Sequence, residues 1–236
     1  MVKSFNQFCF LVMYKLYHHI LCPFSRKVRA HLNSKGIEYE LVGENFWVKR
    51  KEFIALNPAG QVPVLVDGDK SICGSDVIIE YIEEKHQDGN NFLGDDYMQR
   101  AEVRRLQNWF DEKFFAESTD PILNERYLNR YLPGAKAPNS GILSIARNNL
   151  SVHFAYIDYL LESREKYLAS DVMSVADIAA AAQISVLDYF ADINWQHYAN
   201  VKDWYSLIKS HKSFGEILQD SISSITPPNW YSKLDF

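Results

Sequence analysis

Cysteine is scarce in this chain. Among 236 residues only Cys9, Cys22 and Cys73 occur. The count is odd and no two are spaced Cys-x-x-Cys, which speaks against a disulfide framework and for a reducing compartment. Long apolar runs are also missing: none approaches the ~20 residues that a bilayer span requires. The N-terminal "FCFLVM" is too short for a signal-peptide core and has no small-residue cleavage site behind it. Positive charge is not in excess, since 25 Lys and Arg stand against 30 Asp and Glu, a net charge of -5. Nucleic-acid binding, which normally needs a basic face, is therefore disfavoured. His18 and His19 have no further ligands at metal-site spacing, so they read as loop histidines and no metal is expected. There is no internal repeat. The reading these absences leave is a cytoplasmic protein with no membrane span, no nucleic-acid partner and no metal.

Aromatic residues are plentiful, with fourteen Tyr, fourteen Phe and five Trp, enough for a well-filled core and a surface with interface anchors. Residues 1–12 stand outside the first structural unit, as an N-terminal extension or the product of a start upstream of Met13. The pattern then predicts a strand over Tyr14–Tyr17, a helix over Pro23–Lys35 with Pro in its first turn and Gly36 just past its end, and a strand over Ile37–Val42. Asn57-Pro58-Ala59-Gly60 is a turn, and "QVPVLVDGDKSICGS" forms two strands around an Asp67-Gly68 hairpin. Ser75 opens an amphipathic helix to Lys85, its apolar face read as Val77, Ile78, Tyr81 and Ile82. The first unit, residues 13–88, thus reads β-α-β-α-β-β-α.

Residues 89–96 have linker composition. From 97 to 225 the period is helical throughout, over about 97–118, 122–131, 141–165, 174–190, 201–211 and 213–221. Ser174 and Asp177 form a capping box ahead of a core helix. Pro227 and Pro228 force residues 226–236 into an extended tail carrying Trp230, Tyr231 and Phe236.

Two local features bear on chemistry. Cys22, just ahead of a helix N-terminus and followed by Arg26, Lys27 and Arg29, should see a positive field that lowers its pKa. A Cys-x-x-Ser spacing to Ser25 suits one-thiol exchange; a structural or vestigial cysteine is the alternative. Pro63 in "QVPV" enters a strand, which a cis Val62–Pro63 bond would accommodate.

The set "LYxxxxCPFSRKVR", "NPAGQVPVL", the Ser75 helix, the linker, the all-helical second half and the "SxxD" box resembles the glutathione transferase superfamily over nearly the whole chain from Met13. The resemblance implies a thioredoxin-like α/β domain followed by an all-α domain, usually as a homodimer. It implies Cys22 as the nucleophile of a cysteine-type transferase. It also implies a glutathione site in which Val62 offers its backbone beside cis-Pro63, Ser75 binds the γ-glutamyl carboxylate and Lys49 reaches the glycyl carboxylate. Where members carry Glu or Gln before that serine, this chain has Gly74, so glutathione binding is expected to be weak or absent. The strings "NFWVKRKEFIALNPAG", "VADIAAAAQISVLDYFADINW" and "PPNWYSKLDF" further resemble one branch of the superfamily, GST-like dimers of bacterial cell division that bind filaments of the tubulin-like protein FtsZ. That implies an adaptor whose tail, Trp230, Tyr231 and Phe236, meets the partner. The alternative is a glutathione-dependent thioltransferase working through Cys22. The tail also has a bland reading, packed back on its own domain.

Overall fold

The computed structural model describes residues 13–131, 133–164 and 166–234. The first unit holds four strands in the order β2-β1-β3-β4. Tyr14–His18 (β1) pairs in parallel with Tyr39–Gly43 (β2) and antiparallel with Val64–Asp67 (β3), which forms a hairpin with Lys70–Cys73 (β4). The turn sits at Gly68, where φ is +60°. Helix α1 spans Pro23–Lys35, and Gly36 at φ +67° donates its N–H to Asn33 at 3.1 Å, ending the helix in a left-handed cap. Helix α2 spans Lys51–Leu56 and α3 Ser75–Lys85. This is the β-α-β-α-β-β-α order read from the sequence, and the arrangement is a thioredoxin-like sheet followed by helices.

Two expectations shift. Strand β2 begins at Tyr39, not Ile37, because Ile37 is still tied to the end of α1 by a hydrogen bond to Leu32. On α3 the buried apolar face is Ile78, Ile79 and Ile82, while Val77 is 58% exposed. A 100° step per residue puts 75, 78, 79 and 82 on one side and turns 77 away.

In the second half, Asp96 accepts hydrogen bonds from the N–H groups of Met98 and Gln99 and starts α4, Tyr97–Asn108. The segment predicted as one helix over 97–118 changes winding: Trp109–Thr119 is π-helical and runs into α5, Asp120–Arg126. The expected helix over 122–131 gives way after Arg126 to a 3-10 turn, Leu128–Tyr131. Helix α6 is Ser140–Arg164, α7 Val175–Tyr189 and α8 Ala199–Ser210. The expected helix over 213–221 is instead two 3-10 turns, Lys212–Phe214 and Ile217–Gln219.

Every residue of α7 is buried, and its run of Ala179, Ala180, Ala181 and Ala182 lets α1 and the π segment approach closely. The capping box holds its start: the Ser174 N–H and Oγ both donate to Asp177 Oδ2 at 3.0 Å, while Asp177 Oδ1 accepts from the Leu168 N–H at 2.8 Å. The largest apolar cluster joins Leu21, Ala30 and Ile79 of the first half to the helical core, so the halves share one interior. Charge crosses the same boundary. Lys27, 0% exposed, is sandwiched between Asp76 at the start of α3 and Asp111 of the π segment, and Arg29 pairs with Asp220 at 2.5 Å. Among the described residues no helix is long and apolar enough to cross a membrane.

Candidate functional site

Cys22 sits at the end of the turn that links β1 to α1. Its N–H donates to the His19 carbonyl, and its own carbonyl accepts from Arg26, so the first turn of α1 fixes where the sulfur points. The thiol lies 3.8 Å from the Val62 carbonyl oxygen, to which it donates. The Val62–Pro63 bond is cis.

The expected activation does not follow. Burial pushes the Cys22 thiol above its usual range, outweighing the hydrogen bonds from Ser25 and Phe24 and the charge of Arg26. The three basic residues behind it are engaged elsewhere. Arg26, fully buried, donates to the Ile20 carbonyl at 2.7 Å and to Ser185 Oγ on α7 at 2.8 Å, and Lys27 and Arg29 hold the carboxylates already named. Three cations near in sequence therefore form internal links, not a field centred on the sulfur.

Cys22 opens onto a cavity of about 360 Å³ between the two halves. Val62, Gln61, Phe24 and Phe46 wall it from the first half; Phe115, Asp120, Leu123, Asn124 and Leu128 wall it from the second. His19 also lines it. His18 and His19, read as loop histidines, are both buried, His18 as the last residue of β1. Burial lowers the His19 pKa to about 4, so its ring is neutral. Its Nδ1 accepts from the Leu21 N–H, which places the proton on Nε2, 3.3 Å from the Tyr127 hydroxyl. Phe46 and Trp47 meet this ring edge to face and Tyr127 lies tilted against it, with Tyr131 stacked on Trp47.

Of the residues singled out for glutathione, Cys22 and Val62 share this cavity, while Pro63, Ser75 and Lys49 lie outside its lining. Ser75 is the first residue of α3, with its hydroxyl 3.2 Å from the Asp76 carboxylate. Before it, Gly74 has φ +91°, a backbone conformation in which any side chain is strained. Lys49 is exposed in a left-handed conformation after the short 3-10 turn Phe46–Val48. The sequence reading missed Phe115, Asp120, Leu123 and Asn124 because only the packing of the π segment and α5 against the thiol loop brings them there.

The tail folds back onto its own helices. Tyr231 is 1% exposed, edge-on to Tyr189, with the Arg26 and Lys209 cations over its ring. This corrects the reading of Tyr231 as a free contact residue: it is an internal anchor. Trp230 stays 37% exposed and donates Nε1–H to Asp188 at 3.1 Å. Phe236 lies outside the described residues, as do residues 1–12.

Residues 16–90 match the family model for the glutathione S-transferase N-terminal domain. FtsZ-localized protein A of Caulobacter vibrioides is 40% identical over 225 residues, covering 94% of this chain and 97% of that protein. Among solved structures, a glutathione S-transferase from Rhodospirillum rubrum superposes with a TM-score of 0.90 at 43% identity, covering 95% of this chain and all of the other. FzlA from C. crescentus superposes with a TM-score of 0.91 at 39% identity and the same coverage. By its thioredoxin-like sheet, its helical second half and these whole-length likenesses, the chain belongs to the glutathione S-transferase superfamily.

Proposed function

We propose that this protein is a noncatalytic adaptor of bacterial division that binds FtsZ filaments as a homodimer. The observation that carries this is the 40% identity to FtsZ-localized protein A over 94% of this chain and 97% of that protein. The site supports it from the other side. The thiol is held in its neutral form by burial, and the position that anchors the γ-glutamyl end in transferases is a glycine.

Homodimerisation is supported by α6, whose outward side carries Ile145, Val152 and Tyr159 at seven-residue spacing, each more than 60% exposed. Ile142, three residues before the first of them, and the half-buried Tyr156, between the last two, extend this into a seam with the spacing that two helices use to interdigitate. Trp230 is the accessible aromatic of the tail, a residue type enriched among interface anchors. Co-sedimentation with polymerised FtsZ tests the reading. The full chain should pellet with the polymer and Trp230→Ala should pellet less; a full chain that stays in the supernatant ends the proposal.

The second reading is a glutathione-dependent thioltransferase using Cys22. It is favoured by one observation: the sulfur ends a helix N-terminal loop, faces the Val62 carbonyl and opens onto a cavity. Reduced glutathione at ~10 mM with a dissociation constant of ~0.1 mM would add about 2.7 kcal/mol of stability. That would raise the melting temperature by roughly 5–10 °C. No shift is expected, and a clear one would move this reading ahead of the adaptor as an account of the cavity.

A further inference from the structure

We infer that the cavity beside Cys22 is a binding site for a small organic cation, an amine carried on an aromatic ring or short apolar chain, with Asp120 as its counter-charge. Most of the wall is apolar: Phe24, Phe46, Phe115, Leu123 and Leu128. At about 360 Å³ the space is within the range of small-ligand pockets, which typically combine such a wall with a few polar groups. Here those groups are few and of one sign. Gln61 and Asn124 are neutral, His19 is an uncharged imidazole, and Cys22 is a protonated thiol. Among the described residues, Asp120, half-buried at the start of α5, is the only lining residue with a formal charge, and no lysine or arginine lines the space.

Several cations near the lining residues in sequence are already committed. Arg26 is buried behind the thiol loop against Ser185, Lys113 pairs with Glu117 and Arg126 with Asp192. Burial pushes the Asp120 carboxyl upwards, with the Asn124 amide hydrogen-bonded to it and pulling the other way. A carboxylate that faces an apolar space without a cation of its own favours a ligand that brings one, and repels a carboxylate ligand. The aromatic rings of Phe24, Phe46 and Phe115 in the wall add attraction for an ammonium group wherever it lies over a ring face. The polarity is the reverse of what an anionic tripeptide needs. The inference does not rest on the filament binding proposed above.

Three probes of nearly equal shape test it: phenethylamine, 2-phenylethanol and phenylacetate, titrated into the full chain at pH 8 and low salt by calorimetry. The amine should bind at least tenfold more tightly than the alcohol, and phenylacetate more weakly than either. Asp120→Asn keeps the shape and the Asn124 contact; it should bring the amine down to the affinity of the alcohol. Leu128→Trp fills the space and should weaken all three, while circular dichroism checks that both variants are folded. Equal binding of amine and alcohol, an amine affinity unmoved by Asp120→Asn, or no binding of any probe overturns the inference.

Discussion

At Cys22 two effects oppose each other and their sizes decide the outcome. A helix N-terminus contributes on the order of 0.3–1 kcal/mol to a nearby anion, less than one pKa unit at about 1.4 kcal/mol per unit. Full burial can shift a group by several units, and Cys22 is 8% exposed. Burial wins and the thiol stays protonated at neutral pH. In a background carrying Cys9→Ser and Cys73→Ser, alkylation of Cys22 by iodoacetamide at pH 7.5 should be slower than that of a small free thiol. Its rate should keep rising past pH 9. Fast alkylation with a midpoint below pH 7 would show an activated nucleophile. Tyr231 and Trp230, neighbours in sequence, should separate in the same way. Tyr231→Ala removes a buried ring and should cost roughly 3–5 kcal/mol in urea denaturation, whereas Trp230→Ala, losing one hydrogen bond and a half-exposed ring, should cost about 1–2 kcal/mol.

Among the elements, α7 and the seam between α1 and the π segment carry most of the internal wiring. Asp177 joins its own helix start to Leu168 and to the Trp204 indole on α8. Asp177→Ala should therefore cost more than an ordinary cap, roughly 3 kcal/mol, and lower the melting temperature by about 6–12 °C. Lys27 and Asp111 form the other lock. Burial raises the Asp111 pKa to about 6, against the pull of Lys27. A carboxyl whose folded pKa is raised binds more protons in the folded state, so its contribution to stability falls as pH climbs from about 4 to 6. Lys27→Met removes the compensating cation and raises that pKa further. Its destabilisation should be roughly 3–5 kcal/mol at pH 7.5 and clearly smaller at pH 5. A penalty independent of pH would mean that Asp111 is not the group left exposed to the low dielectric. Replacing both, as Lys27→Met with Asp111→Leu, should recover much of the loss.

For the whole molecule, the largest apolar cluster and two buried ion pairs join the two halves, so unfolding should be a single cooperative transition. The α6 seam points outward from that core. On the proposed homodimer, Val152→Glu places a charge in the middle of the seam; light scattering should report a dimer for the unaltered chain and a monomer for the variant. An unchanged mass would move the dimer contact to another face.

What the residues determined by themselves is local in range. Pro23 and Gly36 bracket α1, Asp67-Gly68 closes the hairpin, and Ser174 with Asp177 starts α7, because caps and tight turns satisfy backbone groups within four residues. The order of strands and helices in the first half follows from these signals, and the motif residues that carry the family likeness lie on the same elements. Tertiary structure alone decided the rest. The π winding of 109–119, which carries Asp111 to Lys27 and Phe115 to the cavity, has no counterpart in the helical period, since that period marks which residues are apolar and not how tightly the turn is wound. The state of the thiol, the charge of the space beside it and the fate of Tyr231 depend on groups 40 to more than 150 residues away in the chain. A pKa is set by solvation and near charges, whichever segments supply them, and those distances exist only once the chain has folded.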